Sequence, residues 1–575
     1  SEAMTPPSPT AAATERVATT PAAHAVAKAL RDNGIDRMFL VTGADLEMWR
    51  ALRDAGIALY LARSEAGAVV MADAYARTTG KPAVVYGQWG PGAANVAAAL
   101  ADALWARSPV VALTTTVSTT LEHRQDYQEL DHPPMFTSVT KWQARANRSD
   151  RVGELLARAI AVAGSGSPGP VHLDVPTNLL NEPTHVPDSY AHGYRIAPPA
   201  PAASAIAETV EMLSRARRPL ILAGNGVLLA EGAAELTALA ERAGVPVVTS
   251  MGGKGSIAES HPLAVGVTGR YSRKVANRLV GEADLVLAIG TDLGALVTDG
   301  YQLPSKSAEV IQVDVEPQRI GASVPIRLGV LADAREFALA LTSALPEGAN
   351  GEHATWREHV ATEVAAWRAT FEAVAARPAE GHVRPEAVVA TLGELLGPRD
   401  VVVADTGNMG AWGGVLYPIK EPGRTFLRAA GTLGWGFPAV LGAQLAVGDD
   451  ARAVALMGDG GFGYHLGDIE TAVRLDIPAI VLVLNNAGLA YESIGFNYVC
   501  DGDIVAEVCD FTDVDYGAFA RSMGAHGVRV DNVDDLRTAL VEALAQRRPA
   551  VIDVVVSAFR FAPVTTFEPF LEREL

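Results

Sequence analysis

The strongest constraint in this chain is a rhythm. Short apolar runs alternate with amphipathic helical stretches from end to end: RMFLVTG, PAVVYGQ, PVVALTT, RPLILAG, DLVLAIG, AEVIQVDV, DVVVADTG, AVALMGDG and AIVLVLNN. Runs this short and this continuously apolar read as strands buried on both faces. Buried strands with helices between them make parallel α/β sheets. Most of the runs end in Gly, Asp, Thr or Asn. Those ends matter, because ligands of open parallel sheets gather at the carboxyl ends of strands.

At 575 residues the chain is too long for one core, so three doubly wound α/β domains are expected. Two breaks divide it. RIAPPAPAASA (195–205) is a Pro/Ala linker, and 346–382 begins as a loop and continues as a charged helix anchored by Trp356 and Trp367. The expected organisation is a flexible leader over 1–21, domains over 22–190, 205–345 and 383–557, a helical linker over 346–382, and a tail over 558–575 that closes as a lid. Ser1-Glu2-Ala3 ahead of Met4 reads as a tag remnant and is left out of the fold.

Composition excludes several classes. Acids outnumber bases, 66 to 47, for a formal charge of -19, which argues against a general nucleic-acid binder. No apolar run approaches the roughly 18 residues of a membrane span, and the N-terminus lacks the apolar core of a signal peptide. There are two cysteines, Cys500 and Cys509, which suits a cytoplasmic protein without a disulfide framework or zinc cluster.

One segment carries the chemistry. AVALMGDG ends in Gly458-Asp459-Gly460, and 24 residues after that triplet AIVLVLNN ends in Asn485-Asn486. Two solvent turns would explain each half alone. In a βαβ unit, however, the two ends share one sheet edge. A carboxylate and an amide oxygen there form a hard-oxygen pair suited to Mg2+, which takes about six oxygens, most of them from phosphate and water. Glycines beside Asp459 let backbone N–H groups approach phosphate closely.

This pattern resembles the signature of thiamine-diphosphate (ThDP) enzymes. The resemblance runs over about residues 22 to 557 and is to the acetolactate-synthase, benzoylformate-decarboxylase and benzaldehyde-lyase group. It implies pyrimidine-binding, central and diphosphate-binding domains in that order. It implies Asp459, Asn486 and the carbonyl of Gly488 as Mg2+ ligands, with Gly458, Gly460, Gly461 and Leu489 beside the diphosphate. The family requires a glutamate at N1′ of the aminopyrimidine, where it favours the imino tautomer that removes the C2 proton. In YLARSEAGAVVMADAYARTTGKPAVV that residue is Glu65. GQWGPGAAN implies Gly90, Gly92 and Asn95 near the pyrimidine. ADTGNMGAW implies Thr406, Gly407 and Asn408 at the diphosphate, and GTLGWGFPAVLGAQLA implies Thr432 and Leu433, the latter wedged between the two rings.

Substrate-side residues are less patterned. Asp45 in LVTGADLEMW, Gln128 and His132 in QDYQELDHPPMFTSVTKW, and Glu492 after NNAGLAY are candidate catalytic residues, Glu492 as a proton shuttle. Tyr491 and Glu492 are expected on a short helix over the site. In the central domain structural FAD is not expected, since GTDLGALVTDG lacks the Arg-Phe-Asp-Asp-Arg stretch of FAD-binding acetolactate synthases; ADP or CoA stays open there. The family places Glu65 of one chain at cofactor held by Asp459 of another, so a homodimer is the minimum and a homotetramer is expected. The implied activity is ThDP- and Mg2+-dependent, non-oxidative cleavage or ligation of C–C bonds on a 2-oxo acid or 2-hydroxy carbonyl. The alternatives are a 2-hydroxyacyl-CoA lyase and a catalytically silent nucleotide-binding protein.

Overall fold

The computed structural model describes residues 19–191, 196–557 and 560–567. Every apolar run quoted above is a strand, and the strands assemble into three six-stranded parallel sheets. The N-terminal sheet contains β1 (Arg37–Leu40), β2 (Ala58–Leu61), β3 (Ala83–Gly87), β4 (Val110–Thr116), β5 (Trp142–Arg145) and β6 (Val171–Pro176), in the order β2-β1-β3-β4-β6-β5. The middle sheet contains β7 (Pro219–Ala223), β8 (Val247–Thr249), β9 (Ala264–Val267), β10 (Leu285–Ile289), β11 (Glu309–Asp314) and β12 (Leu328–Leu331), in the order β9-β8-β7-β10-β11-β12. The C-terminal sheet contains β13 (Val401–Ala404), β14 (Phe426–Arg428), β15 (Ala453–Gly458), β16 (Ile480–Asn485), β17 (His526–Val530) and β18 (Ala550–Val555), in the order β14-β13-β15-β16-β18-β17. The two outer domains therefore share one topology, and the middle domain has another. Central strands such as β4 and β16 are buried at every residue, which is why they lack polar alternation.

The helices that place the site or join domains are α1 (Glu65–Thr79), α2 (Pro91–Trp105), α3 (Ala354–Ala375), α4 (Asn408–Leu416), α5 (Gly436–Val447), α6 (Asp468–Arg474) and α7 (Ala490–Val499). In each outer domain the helix after the second strand, α1 or α5, is apolar nearly all round. The reason is that α1 and α5 pack on each other between the two sheets, so neither keeps a wet face. Their backbones nearly touch. A Cβ on Gly442 would lie 2.1 Å from the carbonyl oxygen of Met71, so only glycine permits the approach.

The helix α3 connects the middle and C-terminal domains. The Trp356 indole donates to the Pro219 carbonyl at 3.0 Å, and the Arg273 guanidinium lies 4.4 Å over the Trp367 ring. Of the expected leader, residues 1–18 lie outside the described residues, but Thr20 and Pro21 pair antiparallel with Thr184 and Pro183. The ordered edge thus begins ahead of residue 22. Of the expected lid, 558–559 and 568–575 lie outside the described residues. Between them, Phe561, Val564 and Phe567 are buried, and Phe567 packs 5.2 Å from Tyr491 on α7. Cys500 and Cys509 are free thiols. Among the described residues no helix is long and apolar enough to cross a membrane.

Candidate active site

Strands β15 and β16 are parallel neighbours, paired from Val454–Ile480 to Gly458–Leu484. Their carboxyl ends therefore emerge side by side, and Asp459 and Asn486 follow directly. Asp459 opens a one-turn helix, Asp459–Phe462, and is 2 % exposed. Its Oδ2 accepts the N–H of Gly488 at 2.9 Å, and its Oδ1 faces the N–H of Asn486 at 3.4 Å. The first asparagine has a different task. Asn485 donates to Asp553 and to the Val514 carbonyl, and its Oδ1 accepts the N–H of Ala487. It shapes the turn that presents Asn486.

The donor set fits a hard cation. The Asn486 amide lies 3.2 Å from both Asp459 Oδ1 and the Gly488 carbonyl oxygen. With its nitrogen inward it donates to both; with its oxygen inward, three oxygens converge on one point, an arrangement that a divalent cation stabilises. Burial pushes the Asp459 carboxyl up to about 6, against the backbone N–H groups of Asn486 and Gly488 that favour its charge. A buried carboxylate in that condition lacks a counter-charge. Asn408, at the start of α4 and buried, has an Oδ1 without a hydrogen-bond partner among the described residues. An orphaned polar atom of this kind is unusual in a finished core and fits a ligand-facing position.

The surrounding glycines are demanded by packing. A Cβ on Gly460 would lie 2.6 Å from Leu489 Cδ2, and one on Gly461 would lie 2.1 Å from Asp405 Oδ2 and 3.4 Å from Leu433 Cδ1. Leu433 thus leans over the Asp459 turn. Asp405 ends the run of β13 and is fully buried. Its oxygens accept the N–H groups of Gly434 and Gly436, both at 3.1 Å, and burial raises it to about 6. Thr406 and Gly407 follow it, Gly407 with φ +71° as the N-cap of α4. The contacts thus gather Thr406, Gly407, Asn408, Thr432, Leu433, Gly458, Asp459, Gly460, Gly461, Asn486, Gly488 and Leu489 around the carboxyl ends of four strands.

The N-terminal domain carries a second cluster. Ser64 caps α1 through the N–H of Gly67 at 2.9 Å, which places Glu65 on the first turn. Asn95 donates to Glu65 Oε2 at 3.0 Å, and a Cβ on Gly92 would lie 3.2 Å from Oε1. Gly90 has φ +69°, and a Cβ there would meet the Gln128 carbonyl oxygen at 2.4 Å. That turn aims the Gly90 N–H at His132 Nε2, 3.1 Å away. His132 Nδ1 lies 2.9 Å from Asp174 Oδ1, so the ring proton sits on Nδ1 and Nε2 is the acceptor.

Three family models match the chain: the N-terminal TPP binding domain of thiamine pyrophosphate enzymes over residues 20–135, their central domain over 206–341, and their C-terminal TPP binding domain over 405–554. Whole-length relatives agree. A probable acetolactate synthase large subunit of Methanocaldococcus jannaschii is 30% identical over 570 residues, covering 94% of this chain and 93% of the relative. A sulfoacetaldehyde acetyltransferase of Alcaligenes xylosoxydans xylosoxydans is 31% identical, covering 89% and 88%. A probable 2-ketoarginine decarboxylase of Pseudomonas aeruginosa is 34% identical, covering 81% and 82%. The chain belongs to the thiamine pyrophosphate enzyme family. It is a ThDP-dependent enzyme of the acetolactate-synthase-like group.

Asp45 and His132, two of the substrate-side candidates, are both enclosed. Asp45 is 4 % exposed, and its carboxylate accepts from the hydroxyls of Tyr86, Thr115 and Thr177. His132 is 1 % exposed and spends both nitrogens on the Gly90 turn and Asp174. Gln128 is half-buried and accepts from Gln88 at 3.2 Å. Glu492 is exposed on the first turn of α7.

Other residues were missed. Asp174 was hidden in VHLDVP, although a His and an Asp two apart on one face of a buried strand signal a partnered pair. Thr114 donates to Asp174 at 2.8 Å and meets His172 Nε2 at 2.7 Å; burial drives His172 down to about 3. The segment Cys509–Phe511, which pins the Asn486 loop through Leu489 N–H to the Cys509 carbonyl and Phe511 N–H to the Ala487 carbonyl, gave no sequence signal.

Proposed function

We propose that this enzyme carries out Mg2+-dependent, non-oxidative cleavage or ligation of C–C bonds on a 2-oxo acid or 2-hydroxy carbonyl substrate. The observation that carries the reading is the convergence of Asp459, Asn486 and the Gly488 carbonyl at the ends of adjacent parallel strands. Bound ThDP supplies a nucleophilic carbon, C2 of its thiazolium, that adds to carbonyl groups. The chain's own residues do the rest. Asp459, Asn486 and the Gly488 carbonyl would hold Mg2+, with Thr406, Gly407, Asn408 and the backbone of Gly460 and Gly461 available to the diphosphate. Leu433, which leans over the Asp459 turn, would support the cofactor's rings. Glu65, steadied by Asn95 and with Gly90 and Gly92 close by, holds a proton at N1′ of the pyrimidine. Glu492, at the mouth on α7, moves a proton to or from the substrate oxygen.

The site is completed by a second copy, Glu65 of one chain serving cofactor held by Asp459 of the other, in a homodimer or a homotetramer.

A second reading, a 2-hydroxyacyl-CoA lyase, is favoured by one feature. A cleft of about 1080 Å³ runs from the strand ends of the middle domain, at Asn225, Thr291 and Asp314, to Thr406 and Thr432 of the C-terminal domain, and its lining includes Arg107, Arg319 and Arg424. Arginines in such a cleft suit a phosphorylated ligand. A panel of 2-oxo acids, acyloins and 2-hydroxyacyl-CoA thioesters, incubated with enzyme, ThDP and Mg2+ and read by mass spectrometry, separates the two. Turnover confined to free acids and acyloins supports the first reading, turnover of thioesters selects the second, and no turnover of any class rejects both.

A further inference from the structure

We infer that Asp102 and Asp468 are reciprocal positioning residues, each reaching from one outer domain to hold the loop that carries a cofactor-facing residue of the other. Asp102 lies on α2 of the N-terminal domain and is 3 % exposed. Its carboxylate accepts the N–H groups of Ala430 at 2.8 Å, Gly431 at 3.2 Å and Thr432 at 3.0 Å. Those are the three residues immediately before Leu433. Asp468 opens α6 of the C-terminal domain and is 1 % exposed. Its Oδ1 accepts the N–H of Arg63 at 3.0 Å, two residues before Glu65, and the Thr471 hydroxyl at 2.8 Å. Its Oδ2 reaches the start of α1 so closely that a Cβ on Gly67 would lie 2.7 Å from it.

The two contacts match in topology. Both aspartates belong to the connection between the third and fourth strands of their domain, and both loops lie between the second strand and the helix that follows it. The α1–α5 packing is thus flanked by two latches of the same kind pointing in opposite directions. The chemistry explains the choice of residue. A carboxylate inside the apolar helix AANVAAALADALW would be costly to bury unless hydrogen-bonded. Loop N–H groups outside any sheet or helix need acceptors in turn. One ionised oxygen pair facing three backbone amides satisfies both with charge-assisted bonds. Because α2 also begins at the Gly90–Gly92 turn, one rigid helix spans roughly 15 Å from the neighbourhood of Glu65 to the Leu433 loop.

The functional side of this inference rests on the roles of Glu65 and Leu433 proposed above. Hydrogen–deuterium exchange by mass spectrometry on the full chain without cofactor tests the latches directly. In the unsubstituted protein the amides of 430–432 should be protected, although Gly431 and Thr432 are exposed. Asp102→Asn should speed their exchange about tenfold or more and leave the peptide around Arg63 unchanged. Asp468→Asn should do the converse, and Asp102→Glu should restore part of the protection. Free-loop exchange at 430–432 in the unsubstituted protein overturns the inference even if the variants fail to fold. So does a variant that leaves its own loop unchanged, or one that loosens both loops alike.

ThDP titration in Mg2+, followed by tryptophan fluorescence, should show several-fold weaker binding in both Asn variants. Asp468→Asn should also slow C2–H/D exchange at saturating ThDP. Loosened loops with unchanged ThDP binding and exchange overturn the positioning role. Failure of the underlying reading looks different: Glu65→Gln and Leu433→Ala would then leave ThDP behaviour unchanged while the Asp102→Asn exchange response persisted.

Discussion

The two outer domains have the same strand order and opposite equipment on the same loops. After the second strand, the N-terminal domain presents Glu65 at the start of α1, whereas the C-terminal domain presents Leu433 just ahead of α5. After the third strand, one domain has the Gly90 turn backed by His132; the other has Asp459 among glycines. Strand order decides where a ligand-facing loop emerges, because parallel strands all release their ends on one edge. Side chains decide which part of a ligand that loop meets. The C-terminal domain offers hard oxygens and an apolar prop, suited to holding a cofactor. The N-terminal domain offers a single carboxyl whose neighbours are glycines and an amide, suited to handling a proton.

That division of labour can be broken from either side. The largest effect is expected on the holding side. Asp459→Ala should weaken Mg2+-dependent ThDP binding about a hundredfold or more, since a direct charged ligand is removed; calorimetric titration with near-normal affinity would remove Asp459 from the metal site. On the proton side, Glu65→Gln should bind ThDP within a few-fold of normal but slow C2–H/D exchange by about 10²–10⁴, the usual contribution of a positioned acid or base. Unchanged exchange, read by quenched-flow NMR, would take Glu65 out of its role. If both variants lost binding equally, the contrast between the domains would be wrong.

Smaller effects sharpen the comparison. His132→Ala leaves the buried Gly90 N–H without an acceptor and should cost about 1–3 kcal/mol of stability, seen as a lower denaturation midpoint, with ThDP binding weakened less than in Asp459→Ala. The smallest concerns His172, held down to about 3 by burial. Between about 6.5 and 3 the unfolded chain binds a proton there that the folded chain does not. Its contribution is therefore full above about 6.5 and is lost as pH falls. His172→Asn should flatten the decline of the urea midpoint between pH 6 and 4; an unchanged slope would assign the acid sensitivity to other groups.

Much of this molecule was legible without coordinates, for a physical reason. Strands buried on both faces must be continuously apolar, and loops that approach phosphate or another backbone must be glycine-rich. The strands and the Asp459 and Asn486 turns therefore announce themselves locally. Glu65 was singled out through the resemblance alone, because nothing in its own neighbourhood separates it from any first-turn glutamate. The enclosure of Asp45 and His132 was not legible for the converse reason. A polar residue at the start of a helix looks the same whether it faces a cavity or is enclosed by hydroxyls and a neighbouring turn.

By itself, then, the sequence determined the three α/β units and the strand ends at which Asp459 and Asn486 emerge side by side, all properties set by residues close together in the chain. Only the tertiary structure decided that His132 and Asp174 stand behind the Gly90 turn, that Asp405 braces the Leu433 loop, and that Asp102 and Asp468 reach across the domain contact. Those carboxylates and rings lie tens to hundreds of residues from the amides and ring nitrogens they bind, and a hydrogen bond depends on distance in space, which separation along the chain does not record.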